Sequence, residues 1–196
     1  MCIRDRLIVF LFNFALQLSP DLQAELAAGL LWVALAFAST LGLNRSIASE
    51  RENNALDGLL LAPVDRSAIF FGKSLSNFIF TLLVALILLP VFSVFYNQNM
   101  LNLRLIFIIL LGLGAYTSLG TLLAVLSIQT RARDVLLPVL LFPLALPILI
   151  AAVESSRLVL GSHPISDYQS WLFLLIAGNI LFIGVGLLFF ETILEE

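Results

Sequence analysis

Long apolar stretches that are nearly free of charge limit what this chain can fold into more than any other feature. Five of them reach about 18 residues or more, enough for a helix to cross a hydrocarbon core of about 30 Å. Of all 196 residues, 61% are hydrophobic and 12% are charged, against about 25% charged residues in soluble domains. We therefore predict an all-α polytopic membrane protein. Its spans are predicted at 24–43, 68–95, 105–128, 135–153 and 171–190.

A sixth apolar segment, residues 7–18, is too short to cross a membrane, because 12 residues of helix cover only about 18 Å. We interpret it as the remnant of a first span and expect the chain to be truncated at its N-terminus. A signal peptide is the alternative, since Arg4 and Arg6 precede the segment. However, residues 16–18 are all large, whereas a cleavage site needs small residues.

The distribution of Lys and Arg predicts the orientation, because these residues favour cytoplasmic connections. Only Arg104 and Arg157 fall on the predicted outer side. The other eight basic residues share the opposite side: Arg4, Arg6, Arg45, Arg51, Arg66, Lys73, Arg131 and Arg133. Both termini are thus predicted to be cytoplasmic. Connections 44–67 and 129–134 are predicted to face inward, and 19–23, 97–104 and 154–170 outward.

Several residue types in the spans predict how the helices are shaped and packed. Pro138, Pro143 and Pro147 predict a kinked helix, because each removes a helical hydrogen bond. Small residues permit close helix contact, which we expect at Gly112, Gly114, Gly120, Gly178, Gly184 and Gly186. Aromatic rings at span ends prefer the headgroup region, which we expect for Tyr96, Tyr168 and Trp171.

Composition argues against several classes of function. A net charge of -3 without a basic run argues against nucleic acid binding, which needs clustered Lys and Arg. A single cysteine, Cys2, permits no internal disulfide. The middles of the spans hold almost no ionisable residue, whereas ion-coupled carriers usually place such groups there. We therefore expect no secondary transporter.

Two features that resemble chemical sites do not meet the requirements of those sites. Gly72, Lys73 and Ser74 match the end of a phosphate-binding loop, but Ser67 stands where that motif needs glycine. His163, with Asp167 four residues later, is the only histidine, and a metal site ordinarily needs several ligands. We expect no catalytic residue and no metal site, so any ATP hydrolysis would belong to another chain.

The connection 44–67 differs from the others because its residues follow a helical order. Apolar and polar residues recur at helical spacing on two different faces. The apolar face contains Leu56, Leu59, Leu60 and Pro63, and the polar face contains Glu50, Asn54 and Asp57. This order predicts a short amphipathic helix at the membrane surface. A plain interfacial connector would show the same pattern, so spacing alone leaves both interpretations open.

The run from Glu50 to Lys73 resembles the loop after the second span of ABC-2 permeases, and more narrowly that of the CcmB family. The family pattern has an acidic cluster, a sequence close to D-G-x-L-E-x-L-L-L-x-P and a later Gly-Lys. Asp57 occupies the position of the Glu in this pattern, and Asn53 and Asn54 occupy the positions of the Asp and the Gly. The matching residues are Leu56, Leu59, Leu61, Pro63, Gly72 and Lys73. Residues 29–34 and 141–150 also resemble this family.

The resemblance implies one permease domain over residues 1–196, an ABC-2-type six-helix bundle whose first span is incomplete here. It implies a paired permease in the bacterial inner membrane, working with a CcmA-like ATPase and with the haem-handling proteins CcmC and CcmD. The amphipathic helix would be the coupling element that docks on the ATPase. The coupling residues would then be Glu50, Asn54, Leu56, Asp57, Leu59, Leu60 and Pro63.

Three functions fit this resemblance. The leading hypothesis is the membrane subunit of an ABC complex that delivers haem for assembly of c-type cytochromes, with haem as substrate and no bound cofactor. A second is an ABC-2 permease for another amphipathic substrate, such as a lipid-linked glycan. A third is a non-transporting membrane anchor through which ATP hydrolysis remodels a haem-chaperone complex.

Overall fold

A computed structural model describes residues 20–52, 66–96, 98–126 and 133–193, which fold into five α-helices with no strand among them. Each contains a segment long and apolar enough to cross a membrane. This confirms the all-helical, multi-pass prediction, whereas segment 7–18 lies outside the described residues. The helices are α1 (Pro20–Glu52), α2 (Arg66–Tyr96), α3 (Leu103–Leu126), α4 (Arg133–Leu160) and α5 (Ile165–Ile193).

Helix α3 lies at the centre of the bundle. It contacts the other four helices, while α1 touches α2 and α4, and α5 touches α2 and α4. Of the most apolar 18 residues of each helix, 72% are buried in α3 but only 17% in α2 and 11% in α5. Most of the surface of helices α2 and α5 is therefore exposed on the outside of the bundle. The contact between these two helices is among the smallest in the bundle.

Small residues on α3 let its neighbours approach closely. A methyl group added at Gly112 would overlap the buried ring of Trp32 on α1, and one at Gly114 would lie 2.6 Å from Asn179 Oδ1 on α5. The predicted close contacts are confirmed at these positions. They are also found at Gly120 and Gly186. A methyl group at Gly178 would make an ordinary contact, 3.5 Å from Ile148, and Gly184 has nothing within 4 Å of an added methyl group.

The outer surface of the bundle is apolar along whole helix faces. On α1, the exposed residues recur every three or four positions, and their side chains are 39 to 66% exposed. A soluble protein rarely exposes such a continuous face, whereas a bilayer makes it favourable. The stripe comprises Leu26, Leu30, Val33, Phe37 and Leu41.

Helix α1 is longer than the predicted span 24–43, so the predicted connection 44–67 begins later than expected. The helix continues without a break through Asn44 to Glu52. No proline or glycine occurs between these residues to stop it. Its 33 residues extend over about 50 Å, which exceeds the hydrocarbon core by several turns.

The predicted outer connection 154–170 is also mostly helical, so the connection between α4 and α5 is only residues 161–164. Charged residues suggested a loop, but Arg157 instead pairs with Glu154 along the helix, at 2.7 Å between Nη2 and Oε2. Helix α4 ends where Ser162 adopts a left-handed φ of 59°. The His163 backbone N–H then donates to the Leu158 carbonyl at 2.9 Å, which satisfies a helix-end acceptor.

Tyr168 does not occupy the position expected of an interfacial ring. Its side chain is 2% exposed and belongs to the apolar core between α3, α4 and α5, together with Leu105 and Leu175. Trp171 and Tyr96 are half-buried against the same core. Helix α5 begins six residues earlier than expected, and in its first turn Tyr168 packs inward, whereas an interfacial ring would be exposed.

The buried apolar residues form two clusters, one at each end of the bundle. One contains Trp32, Leu105 and Tyr168, and the other contains Leu43 and Phe70. Buried hydroxyl and amide side chains lie among these apolar residues, on α1, α2, α3 and α4. The polar groups that follow are therefore held inside the bundle.

Candidate functional site

The predicted coupling residues fall largely outside the described part of the chain. Glu50 lies in the last turn of α1 rather than in a separate helix. The remaining predicted residues lie outside the described ranges: Asn54, Leu56, Asp57, Leu59, Leu60 and Pro63. Their assignment to a coupling helix stays a prediction.

A cross-helix hydrogen bond joins α1 to α2 inside the bundle. Asn77 Nδ2 donates to Ser39 Oγ at 2.9 Å, and both side chains are buried. The Asn77 amide also lies against Gly42, where an added methyl group would be 2.8 Å from Oδ1. Because a buried amide without a partner is costly in an apolar medium, this bond fixes how α1 and α2 face each other.

A second polar contact joins α1 to α3. The hydroxyl groups of Thr40 and Tyr116 are 3.0 Å apart, and Thr40 Oγ1 also lies 2.8 Å from the Ala36 carbonyl. Each hydroxyl carries a single proton, so when Thr40 donates to that carbonyl, Tyr116 donates to Thr40. The pair is buried and fully internal. It stabilises the central helix against α1 rather than facing a substrate.

Asn179 joins α5 to α3 through both of its amide protons. Its Nδ2 donates to the Leu111 carbonyl at 2.8 Å and to the Leu175 carbonyl of its own helix at 2.9 Å. Within the described ranges, no donor pairs with Oδ1, which lies beside Gly114. A hydrogen-bond acceptor is therefore available where α5 meets α3.

A groove of about 300 Å³ opens between α2, α3 and α5, beside that acceptor. One part of its wall is aromatic and comes from Phe70, Phe71 and Phe78 of α2. Another part is polar and includes Asn179 and Ser118. We call it the mixed groove, and it is lined by Phe70, Phe71, Ser74, Leu75, Phe78, Leu110, Gly114, Thr117, Ser118, Asn179 and Ile183.

The serine hydroxyl groups of the mixed groove are internally bonded. Ser118 Oγ donates to the Gly114 carbonyl at 2.8 Å, and Ser74 Oγ lies 3.4 Å from Ser118 Oγ. Phe71 and Leu75, on the rim, are 47% and 57% exposed. The groove thus combines an apolar mouth facing the lipid with a few hydroxyl and amide groups inside. Such an arrangement suits an amphipathic molecule and offers no acid or base for catalysis.

His163 and Asp167 form an exposed pair where α4 meets α5. Nδ1 of His163 lies 3.4 Å from Oδ2 of Asp167, and both side chains are more than 40% exposed. Ser166 Oγ donates to the other carboxylate oxygen at 2.9 Å. Among the residues that the structure describes, no cluster of three His, Cys, Asp or Glu side chains could hold a metal ion.

Sequence reasoning missed the polar residues of the mixed groove. One signal was available in the sequence, since Asn179 is an amide inside an apolar span and such groups usually bond to neighbouring helices. The spacing of single hydroxyl residues, however, carries no information about which helix lies opposite. Gly72, Lys73 and Ser74 lie within α2, a continuous helix, which confirms that they form no phosphate-binding loop.

Long apolar helices with lipid-facing exteriors, joined by hydrogen bonds between buried polar side chains, define this chain as a multi-pass α-helical membrane protein. A family model described as CcmB protein matches residues 5–191. The chain belongs to the CcmB family.

The chain is similar to several proteins named heme exporter protein B. The relative from Rhodobacter capsulatus is 33% identical over 152 residues, which cover 77% of this chain and 70% of the relative. That from Pseudomonas aeruginosa is 26% identical over 167 residues, or 85% and 75% of the two chains. That from Escherichia coli is 28% identical over 176 residues, or 88% and 79%. No solved structure matches the chain at a significant level.

Proposed function

We propose that this chain is the permease subunit of an ABC-type complex that delivers haem across or at the bacterial inner membrane for assembly of c-type cytochromes. The observation that carries the proposal is the family match over residues 5–191, together with relatives named heme exporter protein B. Those names favour haem over a lipid-linked glycan as the substrate. The distribution of Lys and Arg supports a cytoplasmic position for both termini.

The mixed groove supports the choice of an amphipathic substrate. Haem is a flat apolar ring with polar edge groups, and the groove places three phenylalanines beside the hydroxyl groups of Ser74 and Ser118. The rim is exposed at Phe71 and Leu75, so a substrate would enter from the lipid rather than through an aqueous pore. We place contact with the substrate there, without assigning a ligand to the iron.

Energy for delivery would come from an ATPase subunit that docks on the connection after α1. Helix α1 extends several turns beyond its span, so motion at its end would be passed rigidly to Ser39 and Thr40 inside the bundle. A pair of permeases, the CcmA-like ATPase and the CcmC- and CcmD-like proteins complete the proposed assembly. In this assembly, Leu59 and Leu60 contact an apolar surface of the ATPase, and Asp57 contacts a basic surface of the same subunit.

The docking assignment is tested by recovery of the ATPase with tagged permease. Asp57→Arg, and separately the double change of Leu59 and Leu60 to Glu, should lower the recovered ATPase at least tenfold, because each places a repulsive or strongly solvated charge in the contact. Glu25→Arg is the matched control, since Glu25 is exposed near the opposite end of α1. Equal recovery from Asp57→Arg and Glu25→Arg, with normal membrane insertion of both, would refute the docking assignment.

A further inference from the structure

A second groove, separate from the mixed groove, lies between the first turns of α3 and α5. Its volume is about 510 Å³ and its accessible lining is apolar. Leu103, Phe107 and Ile165 on its rim are 80%, 51% and 53% exposed. We call it the end groove, and it runs over about two turns of α3, from Leu103 to Leu110, with Leu172 of α5 on the opposite wall.

A single cation marks one end of this groove. Arg104 lines it, is exposed, and has no acidic partner among the described residues. The other arginine at this end of the bundle, Arg157, is paired with Glu154 through both Nε and Nη2. Asp167 of α5 is engaged by His163 and Ser166. Arg104 therefore leaves a positive charge uncompensated beside an apolar channel.

The position of Arg104 strengthens its attraction for an anion. It is the second residue of α3, and its backbone N–H donates to Asn102 Oδ1 at 3.1 Å, so the helix begins directly beside it. The first turn of α3 contains no acidic residue. The positive end of the helix dipole and the guanidinium consequently act in the same direction.

We infer that the end groove holds one acyl chain of an anionic phospholipid, with the lipid phosphate at Arg104. The charge complementarity selects an anionic headgroup, and an apolar channel at the lipid-facing surface accommodates a hydrocarbon chain. Haem is also an amphipathic anion, and competition between haem and the phospholipid distinguishes the two occupants.

Lipid retention by the purified protein tests this inference. Protein incubated with equal amounts of phosphatidylglycerol and phosphatidylcholine should retain the anionic lipid about fivefold more, as counted by native mass spectrometry, the preference expected for one surface cation. Arg104→Gln should bring the ratio close to one, and Arg104→Lys should keep most of the preference. Arg157→Gln is the matched control and should leave the ratio unchanged, because Arg157 does not line the groove.

Three results would overturn the inference. One is an equal retention of both lipids by the unmodified protein, and another is a loss of preference in Arg157→Gln as large as in Arg104→Gln. The third is displacement of phosphatidylglycerol by an equal concentration of haem, which would assign the groove to an anionic porphyrin instead. An unchanged elution volume of each variant in size-exclusion chromatography ensures that folding does not account for the difference.

Discussion

Two adjacent buried serines on α4 differ in their hydrogen bonding. Trp32 Nε1 donates to Ser156 Oγ at 3.0 Å, and Ser156 donates to the Ala152 carbonyl at 2.6 Å. Ser155 is equally buried, but its hydroxyl finds no partner among the described residues. In an apolar interior, a satisfied polar group stabilises and an unsatisfied one costs free energy. One residue type therefore has opposite effects at neighbouring positions.

Alanine at these two positions should separate the effects. Ser156→Ala leaves the buried Trp32 N–H without an acceptor, and we expect it to lower the free energy of unfolding by about 1–3 kcal/mol. Ser155→Ala removes an unpaired hydroxyl and should leave stability unchanged or slightly raised. Thermal unfolding in detergent measures both. A larger loss for Ser155→Ala than for Ser156→Ala would contradict the hydrogen-bond assignment.

Contacts of this kind lie beyond what the sequence predicts. Trp32 and Ser156 are 124 positions apart, and nothing in the spacing of either residue indicates the other. The same holds for Asn179, whose bonding partner is a backbone carbonyl 68 positions away. An amide inside an apolar span indicates that some partner exists, but only the arrangement of the helices around α3 identifies it.

At the scale of elements, α3 packs closely against its neighbours because glycines at the contact positions carry no side chain. The Trp32 ring covers Gly112, and that ring is held in place by its bond to Ser156. Gly184 on α5 is also helical but has open space around it. The two glycines were predicted alike from sequence, and they differ because one faces a neighbour and the other does not.

Substitution of the two glycines by alanine should show this difference. Gly112→Ala forces the Trp32 ring to shift, and overpacking of this kind costs about 1–3 kcal/mol of stability. Gly184→Ala meets no atom and should cost nothing, since alanine favours the helix more than glycine. Thermal unfolding in detergent again provides the readout. Equal unfolding midpoints for the two variants would contradict the described packing.

Hydropathy predicted the centres of the five spans well, but it did not predict their ends. Helix ends depend on individual residues, such as Asn102, which accepts a bond from the start of α3, and Ser162, which ends α4 in a left-handed conformation. Charged residues near Glu154 suggested a loop, yet their charges pair along the helix. A charge indicates polarity, and local hydrogen bonds decide whether the chain continues as helix.

At the scale of the whole molecule, membership of the CcmB family rests on residues that extend through nearly the entire chain. The bundle places polar contacts of α1 with α2 and α3 in its interior and the mixed groove at the lipid-facing side of α2, α3 and α5. The amphipathic helix after α1 was predicted from its leucine and acidic faces, and it stays a prediction because residues 53–65 lie outside the described part of the chain. The groove was not predicted, because it requires three helices distant in sequence to meet.

ATP-dependent movement of haem tests the central claim most directly. Vesicles containing this chain, its ATPase and the haem-handling partners should release labelled haem to the opposite side or to an acceptor only when ATP is hydrolysed. Asp57→Arg should abolish this release, while Glu25→Arg should preserve it. No release of haem, in vesicles where the permease still binds the ATPase and ATP is still hydrolysed, would contradict a haem-exporting function.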